Sequence, residues 1–264
     1  MLRTRFPDTV SAGGPVELEL RLGAVTLRGS SVAARATAFA VPEAGAALDL
    51  GRLSQAVISQ PVVLVSHAHL DHLSAVLAYL NVRARFHAGR PPLLVLPEEG
   101  AGPLRRALEV MPGLDSVRKR FDLAEIVRGA VPGDVVTLPG GTAEAFALDH
   151  SVPALGWRIG DGGGRPALVY ALDSGTAPFS ADPSLLDAGA SVVECTFVER
   201  NRRVAARMSK HAHLRDWEEL APRLTCDHLV LAHLPPVGAE RLRELLAPLA
   251  EAFPGTLVPW AAGS

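Results

Sequence analysis

The sequence predicts one layered α/β domain spanning all 264 residues. Three observations carry that expectation. Short apolar or alternating stretches bounded by turn residues recur along the whole chain, as strands do. Stretches with apolar residues on one helical face interleave with them. No linker, low-complexity segment or repeat divides the two kinds.

The elements follow in order. "VELELRLG" (16–23) alternates apolar and charged residues at period two, and "AVTLRGS" pairs with it across Gly23. "ATAFAVPEAGAALDLG" reads as two more strands turning around Pro42 to Gly45, and "PVVLVS" as a strand buried on both faces. From Asp71, "DHLSAVLAYL" reads as a helix, with a carboxylate where N–H groups are exposed. "PLLVLPE" is a strand, and the next helix sets Leu104, Ala107, Leu108 and Met111 on one face before stopping at "PGL". "SVRKRFD", with Arg118, Lys119 and Arg120, reads as plain surface. "TAEAFALDHSV", "ALGWRIG" and "PALVYALDS" are strands, the last two divided by "DGGGR". That glycine run lacks the strand–glycine–helix context of a phosphate loop and reads as a hairpin tip. After the strand "ASVVECTF" come the helix "HLRDWEELAPRL", the strand "HLVLAH" and a helix carrying Leu242, Leu245, Leu246 and Leu249, with a bend at Pro248.

Composition excludes several classes. A net charge of −2 gives no global positive field to attract nucleic acid, although a local basic patch remains open. Two cysteines, Cys195 and Cys226, are too few for a disulfide framework and match no zinc spacing, so a reducing cytoplasm is expected. The N-terminal "MLRTRFPDTVSAGG" has no apolar core of a secretory signal, and no uncharged apolar run is long enough for a membrane span.

The concentrated chemistry is "SHAHLDHLSAV" (66–76), directly after an apolar strand. His67 and His69 are two apart at a strand end, so their rings can share one side. Asp71 and His72 follow on the first helical turn and point elsewhere. That division suits two neighbouring metals, and imidazole with carboxylate favours Zn²⁺ or a similar borderline ion over calcium or magnesium.

"HAHLDH" resembles the HxHxDH signature of the metallo-β-lactamase superfamily. The resemblance implies a four-layer αββα sandwich with a dinuclear site along one edge. It also implies further ligands at later strand ends, where "FALDH" closes on His150, "LVYALD" on Asp173 and "LVLAH" on His233. Carried over, His67, His69 and His150 hold one divalent ion, Asp71, His72 and His233 the other, and Asp173 bridges both. Zinc is expected, with manganese or iron as alternatives.

Within that superfamily, "HSVPALGWRI" (150–159) is similar to the segment after the third motif of ribonuclease Z, the tRNA 3′-end endonuclease. "LDLGR" and "PPLLVLPEE" resemble its short form, and "ECTF" resembles its HEAT-type motif with Glu194 as the acidic member. The family's catalytic histidine lies in a "GHxxxxE"-like segment. In "KHAHLRD", His211 fits best because Asp216 follows five positions later, and His213 is the runner-up. Asp71, Glu194 and His211 are thus the catalytic residues the resemblance implies. Two metals about 3.5–4 Å apart would share a hydroxide for in-line attack at phosphorus. His211, oriented by Glu194, would protonate the leaving 3′ oxygen. The products would be a 3′-hydroxyl RNA and a 5′-phosphorylated trailer.

Two departures stand out. Only "GDGGGR" separates "ALGWRI" from "PALVYALD", where ribonuclease Z carries the arm that grips tRNA, and Leu172 replaces the usual glycine before the bridging aspartate. "ERNRRVAARMSK" offers Arg200, Arg202, Arg203, Arg207 and Lys210 as compensation, either as phosphate contacts with salt-dependent affinity or as a solvated charged loop. The expected substrate is RNA, with precursor tRNA the first candidate, or a small phosphodiester. A homodimer would be in keeping with the family. The alternative is a hydrolase of a cyclic nucleotide, lactone or thioester. A third reading is a non-enzymatic RNA-binding subunit with a relic site.

Overall fold

The computed structural model describes residues 4–10, 17–87 and 89–261. Val16 of the first expected strand, and residues 1–3 and 11–14 of the N-terminal segment, lie outside the described residues. One sheet holds β1 (Asp8–Val10), β2 (Glu17–Leu22), β3 (Val25–Val32), β4 (Ala36–Val41), β5 (Ala46–Leu48), β6 (Val62–Leu64), β7 (Leu93–Pro97) and β8 (Val127–Ala130), side by side in sequence order. The other holds β9 (Val135–Leu138), β10 (Gly141–Ala147), β11 (Leu155–Gly160), β12 (Leu168–Ala171), β13 (Ala190–Glu194), β14 (His228–Ala232) and β15 (Thr256–Pro259). Each sheet begins with antiparallel hairpins and ends in parallel pairs, β5 to β8 and β12 to β15.

Side-chain pattern dictates the layering. Leu20, Leu27, Phe39, Leu48 and Leu64 of the first sheet pack against Ala143, Trp157, Tyr170, Val192 and Val230 of the second. Strands with a second apolar face need a second cover, and helices supply it. On the first sheet these are α1 (Gln55–Ile58), α2 (Leu70–Leu73), α3 (Val76–Phe86), α4 (Glu98–Val110), α5 (Asp115–Arg120) and α6 (Leu123–Ile126). Val57, Tyr79, Leu80, Leu108, Val117 and Ile126 bury there against Val63 and Leu94. On the second sheet they are α7 (Ala177–Ala181), α8 (Arg203–Met208), α9 (Leu214–Leu220) and α10 (Ala239–Ala252). Phe179, Trp217, Leu242, Leu246 and Leu249 cover Val169, Val193 and Leu229. The result is the expected αββα sandwich. No helix among the described residues is long and apolar enough to cross a membrane.

Several local expectations change. "DHLSAVLAYL" is two helices, because the chain after β5 takes hydrogen bonds from the join: Leu50 N–H donates to the His72 carbonyl and Ala75 N–H to the Leu50 carbonyl. "SVRKRFD" is not plain surface. Val117 is buried, and Arg118 Nη1 donates to the carbonyls of Leu108 and Met111 at the end of α4. β8, β9 and β15, of four residues each, are strands beyond those the sequence patterns predicted. "ERNRRVAARMSK" is a 3₁₀ turn followed by α8, not a loop. α10 runs on through Pro248.

Gly51, within "LDLGR", is where the loop after β5 meets the "HAHLDH" segment. A Cβ there would lie 1.7 Å from the Asp71 carbonyl oxygen, which is backbone and cannot swing away. Gly51→Ala is therefore expected to lower stability by about 1–3 kcal/mol, the usual cost of forcing a methyl into a packed contact. Chemical denaturation checks it, and an unchanged midpoint would remove the claim that this approach is tight.

Candidate metal centre

The candidate residues arrive from strand ends. Asp49 follows β5, His67 follows β6, His150 follows β10, Asp173 follows β12, Glu194 closes β13 and His233 follows β14. Ligand sites in open α/β sheets favour the carboxyl ends of strands, where the chain leaves hydrogen-bonded register. At three of these ends the backbone is left-handed: φ is 59° at Asp49, 53° at Asp173 and 52° at His233. Each such non-glycine residue costs about 1–3 kcal/mol and is tolerated only where the surroundings hold it.

Three groups have their ligand-type atoms within 4.8 Å of one another: two clusters sharing Asp173 (His67, His69, His150 and Asp173; Asp71, His72, Asp173 and His233) and a third group of Glu194, His211 and His233. His69 Nδ1 lies 2.9 Å from His67 Nε2 and 3.2 Å from His150 Nε2. Asp173 Oδ2 sits 3.7 Å from His67 Nε2 and 3.5 Å from His72 Nε2, between the clusters. Asp71 Oδ2 lies 3.3 Å from His233 Nε2.

Hydrogen bonds on the far side of the rings fix the donors. His72 donates from Nδ1 to Asp49 Oδ2 at 2.6 Å. His67 Nδ1 is 3.0 Å from Ser66 Oγ, whose own proton goes to Asp49. His233 Nδ1 is 2.9 Å from Thr196 Oγ1, which donates to Glu194. In His67 this leaves Nε2 as a lone-pair donor facing the cluster, and His72 and His233 turn Nε2 the same way. His72 Nε2 and Asp173 Oδ1 are buried and have no hydrogen-bond partner. Crowded ring nitrogens and unpartnered buried atoms, beside two aspartates, are the donor chemistry of a divalent-cation site.

The titrations agree with that reading. Burial, and then the adjacent His72, bring His67 down to about 2, and burial brings His150 to about 4. Both rings are neutral donors at pH 7. Burial resists a charge on Asp71, but the hydrogen bond with His233 and the charge on His72 lower it to about 2. Asp173 is likewise held below the carboxylate range by His72 against its burial. Burial also opposes a charge on His72, yet Asp49 and Asp173 outweigh it and raise its pKa well above the ordinary value.

Beside the second cluster, His211 Nδ1 lies 2.7 Å from Glu194 Oε1, and its ring stacks on His233 with centroids 5.9 Å apart. Burial disfavours its charge, but the bond to Glu194 prevails and raises its pKa. Asp216, the acidic residue matched to His211 by spacing, does not touch it. Arg203 binds Asp216 through Nε at 2.8 Å, and Arg207 approaches Asp216 at 3.3 Å. The runner-up His213 is fully buried away from the clusters, where Nδ1 accepts from the Arg215 N–H and Nε2 donates to the Glu199 carbonyl.

Arg203, Arg207 and Lys210 all line a cleft of about 540 Å³ with His211; Arg203 is committed there to Asp216 and Glu219, while the more exposed Arg207 touches Asp216 alone. Lys210 Nζ reaches Asp149 Oδ1 at 3.0 Å and the His150 carbonyl at 3.1 Å. Arg200 and Arg202 are exposed outside that cleft.

Asp49 was not singled out in the sequence, although it holds a ligand-type ring. Its signal was an aspartate inside the apolar run "AALDLG", one residue past a strand. Asp49→Asn keeps the shape and is expected to weaken metal binding 10- to 100-fold, the usual consequence of disturbing the partner of a ligating imidazole. Competition with a chromophoric chelator reads this, and unchanged affinity would deny Asp49 that role. A second expectation concerns protons. His72 enters pH 7 protonated while His67, His150, Asp71 and Asp173 do not, so loading metal should release its proton. Titration calorimetry in buffers of different ionisation enthalpy measures the count, and zero release would contradict the raised pKa.

Comparison with known proteins places these residues in a family. Residues 47–234 match the Beta-lactamase superfamily domain. The chloroplastic tRNase Z TRZ2 of Arabidopsis thaliana is 28% identical over 147 residues, covering 54% of this chain and 38% of that protein. The nuclear ribonuclease Z of Triticum aestivum is 28% identical over 154 residues, covering 55% of this chain and 81% of that protein. This chain therefore matches well under two thirds of the first relative's length. The crystal structure of the metallo-beta-lactamase fold protein YhfI from Bacillus subtilis superposes with a TM-score of 0.62 at 18% identity, over 89% of this chain and 95% of that one, a likeness of fold. The family match runs from Ala47 to Leu234 and so takes in every residue of both clusters; the chain belongs to the β-lactamase superfamily and adopts the metallo-β-lactamase fold.

Proposed function

We propose that this chain is a dinuclear-metal phosphodiesterase of the ribonuclease Z type, an endoribonuclease acting on RNA 3′ ends. The observation that carries the reading is the Glu194–His211 pair at 2.7 Å, stacked against His233 at the rim of the second cluster. It gives a proton carrier of fixed orientation beside the cation site, the arrangement general acid catalysis needs. The names of the similar proteins, tRNase Z and ribonuclease Z, support the same substrate class.

In this reading His67, His69 and His150 would hold one ion and Asp71, His72 and His233 the other, with Asp173 common to both clusters. Two bound divalent ions, zinc by the imidazole-rich donor set, would supply Lewis-acid charge to the phosphoryl oxygens and acidify a water. Glu194 Oε1 holds the Nδ1 proton of His211, so Nε2 carries the proton that passes to the leaving 3′ oxygen. Arg207 and Lys210 line the adjoining cleft and would meet flanking phosphates, whereas Arg203, held by two carboxyl groups, orders α8 against α9. Residues 1–264 act as one hydrolase unit, in a reducing cytoplasm in keeping with the free, buried Cys195 and Cys226. A homodimer would extend the RNA-binding surface.

One observation favours the small-molecule alternative. β11 ends at Gly160 and β12 begins at Leu168, and Arg165 pins the turn between them to Asp187 and Asp227, where a tRNA-gripping arm would stand. The test is cleavage of a 3′-extended precursor tRNA by metal-replete protein. A defined cut near the discriminator base is expected, lost in His67→Ala and slowed about 10²–10⁴-fold in His211→Ala, with the latter's metal content unchanged. No cut, with hydrolysis of bis(p-nitrophenyl) phosphate intact, would leave the chemistry and remove tRNA as the substrate.

A further inference from the structure

A second cleft, about 470 Å³, opens beside the metal centre, and its lining includes Thr196, Phe197, Glu199, Asn201, Arg202 and Pro235. Thr196 also lines the cleft over the cation site, so the two adjoin. Phe197 is half-buried and its ring centroid is 6.3 Å from that of His211. The Arg202 guanidinium lies over the Phe197 ring, 5.6 Å from its centroid. Among the described residues Arg202 makes no ion pair, unlike Arg203 and Arg207 on the next turns. Its planar face and charge are therefore not consumed by a carboxyl group.

The pair is held rigidly from behind. Phe197 N–H donates to the Ala212 carbonyl at 3.3 Å, and its carbonyl accepts from Leu214 N–H at 2.9 Å, a short parallel bridge that fixes the ring beside His211. The turn that brings Arg202 over the ring is closed by Arg202 N–H on the Glu199 carbonyl, and the buried His213 donates to the same oxygen. A fixed aromatic ring, a free guanidinium and the exposed amide of Asn201 make up the side-chain set that binds unpaired bases, by stacking on planar faces and hydrogen bonding at the edges. An isolated surface cation–π contact would need neither the adjoining cleft nor the pinned backbone.

Resting on the ribonuclease reading above, we propose that Phe197 and Arg202 form the stacking site for the base of the nucleoside whose 3′ oxygen departs. The ring stands within reach of His211, the group that protonates that oxygen, so a base stacked there fixes the sugar with its 3′ oxygen toward the acid. Arg202, assigned to phosphate by sequence, thus reads a base instead. The specificity lies in an unpaired residue at the cut, which binds without an arm.

The test compares kcat/KM for two oligoribonucleotides that differ only at the nucleoside 5′ to the cut, one carrying a base and the other an abasic ribose. Metal-replete full-length protein should prefer the base by about 5- to 150-fold, the worth of one base–aromatic stack. Phe197→Ala should bring that ratio to within about twofold of one, Phe197→Trp should keep it, and Arg202→Ala, at an exposed position, should reduce it in part. Binding of adenosine 3′-monophosphate, read by calorimetry, should weaken in the same order. A wild-type ratio near one, or a ratio that survives both Phe197→Ala and Arg202→Ala, overturns the proposal while leaving the ribonuclease reading intact. Failure to cut any RNA overturns both.

Discussion

The carboxyl group of Asp49 is the constraint on which the rest of the site depends. It accepts from the Ser66 backbone N–H at 2.6 Å, from Ser66 Oγ, from His72 Nδ1 and from Tyr170 Oη at 2.5 Å. Those donors come from the end of β6, from α2 and from β12 of the opposite sheet. One buried acceptor therefore joins both sheets beneath the cation site and sets the orientation of a ligand-type ring. With so many donors satisfied in a low-dielectric setting, the network specifies a single arrangement, since losing one partner would strand a buried polar group.

The same economy explains the strained strand ends. A side chain that continues the pleat of a parallel strand points into one of the two cores. A left-handed residue at the strand's end breaks that pleat and redirects the side chain, and Asp49, Asp173 and His233 all have this backbone while staying buried. The strands behind them are buried on both faces and hydrogen-bonded to two neighbours, which makes the local cost of this geometry bearable. The cation site is thus organised by the packing of the sheets, with the donors already facing inward.

What could be seen in the sequence follows from this geometry. "HAHLDH" is legible because its four ligand-type residues lie within six positions, whereas His150, Asp173 and His233, each at the end of an apolar run, were assigned through the family resemblance. The apolar runs gave a layered α/β domain, and the four-layer sandwich came with the family resemblance. Where order depends on distant partners, the sequence is silent. The break between α2 and α3 is made by backbone groups of Leu50, some twenty residues earlier, and Arg118 is drawn to carbonyls of the preceding helix. Asp216 fitted a spacing pattern yet serves Arg203, because the guanidinium on α8 reaches across to the carboxyl groups of α9, a pairing no linear pattern encodes. Asp49 lies within "LDLGR", which was read only as a family resemblance, and its partners on β6, α2 and β12 are distant in sequence.

Glu194 shows how far the coupling extends. One carboxyl oxygen holds His211, and the other accepts from Thr196 Oγ1, which in turn receives the Nδ1 proton of His233. A single fully buried side chain therefore orients both the proton carrier and a ligand-type ring, while Trp217 Nε1 anchors its backbone carbonyl at 2.8 Å. Replacing His211 removes one group and leaves the cluster's geometry in place. Replacing Glu194 frees two rings at once, so its effect on metal binding and on catalysis cannot be separated. Through Thr196 the same connection reaches the cleft of Phe197 and Arg202. A base seated there bears on the residue that links acid to cation site, which ties recognition of the nucleoside to alignment of the groups that act on it.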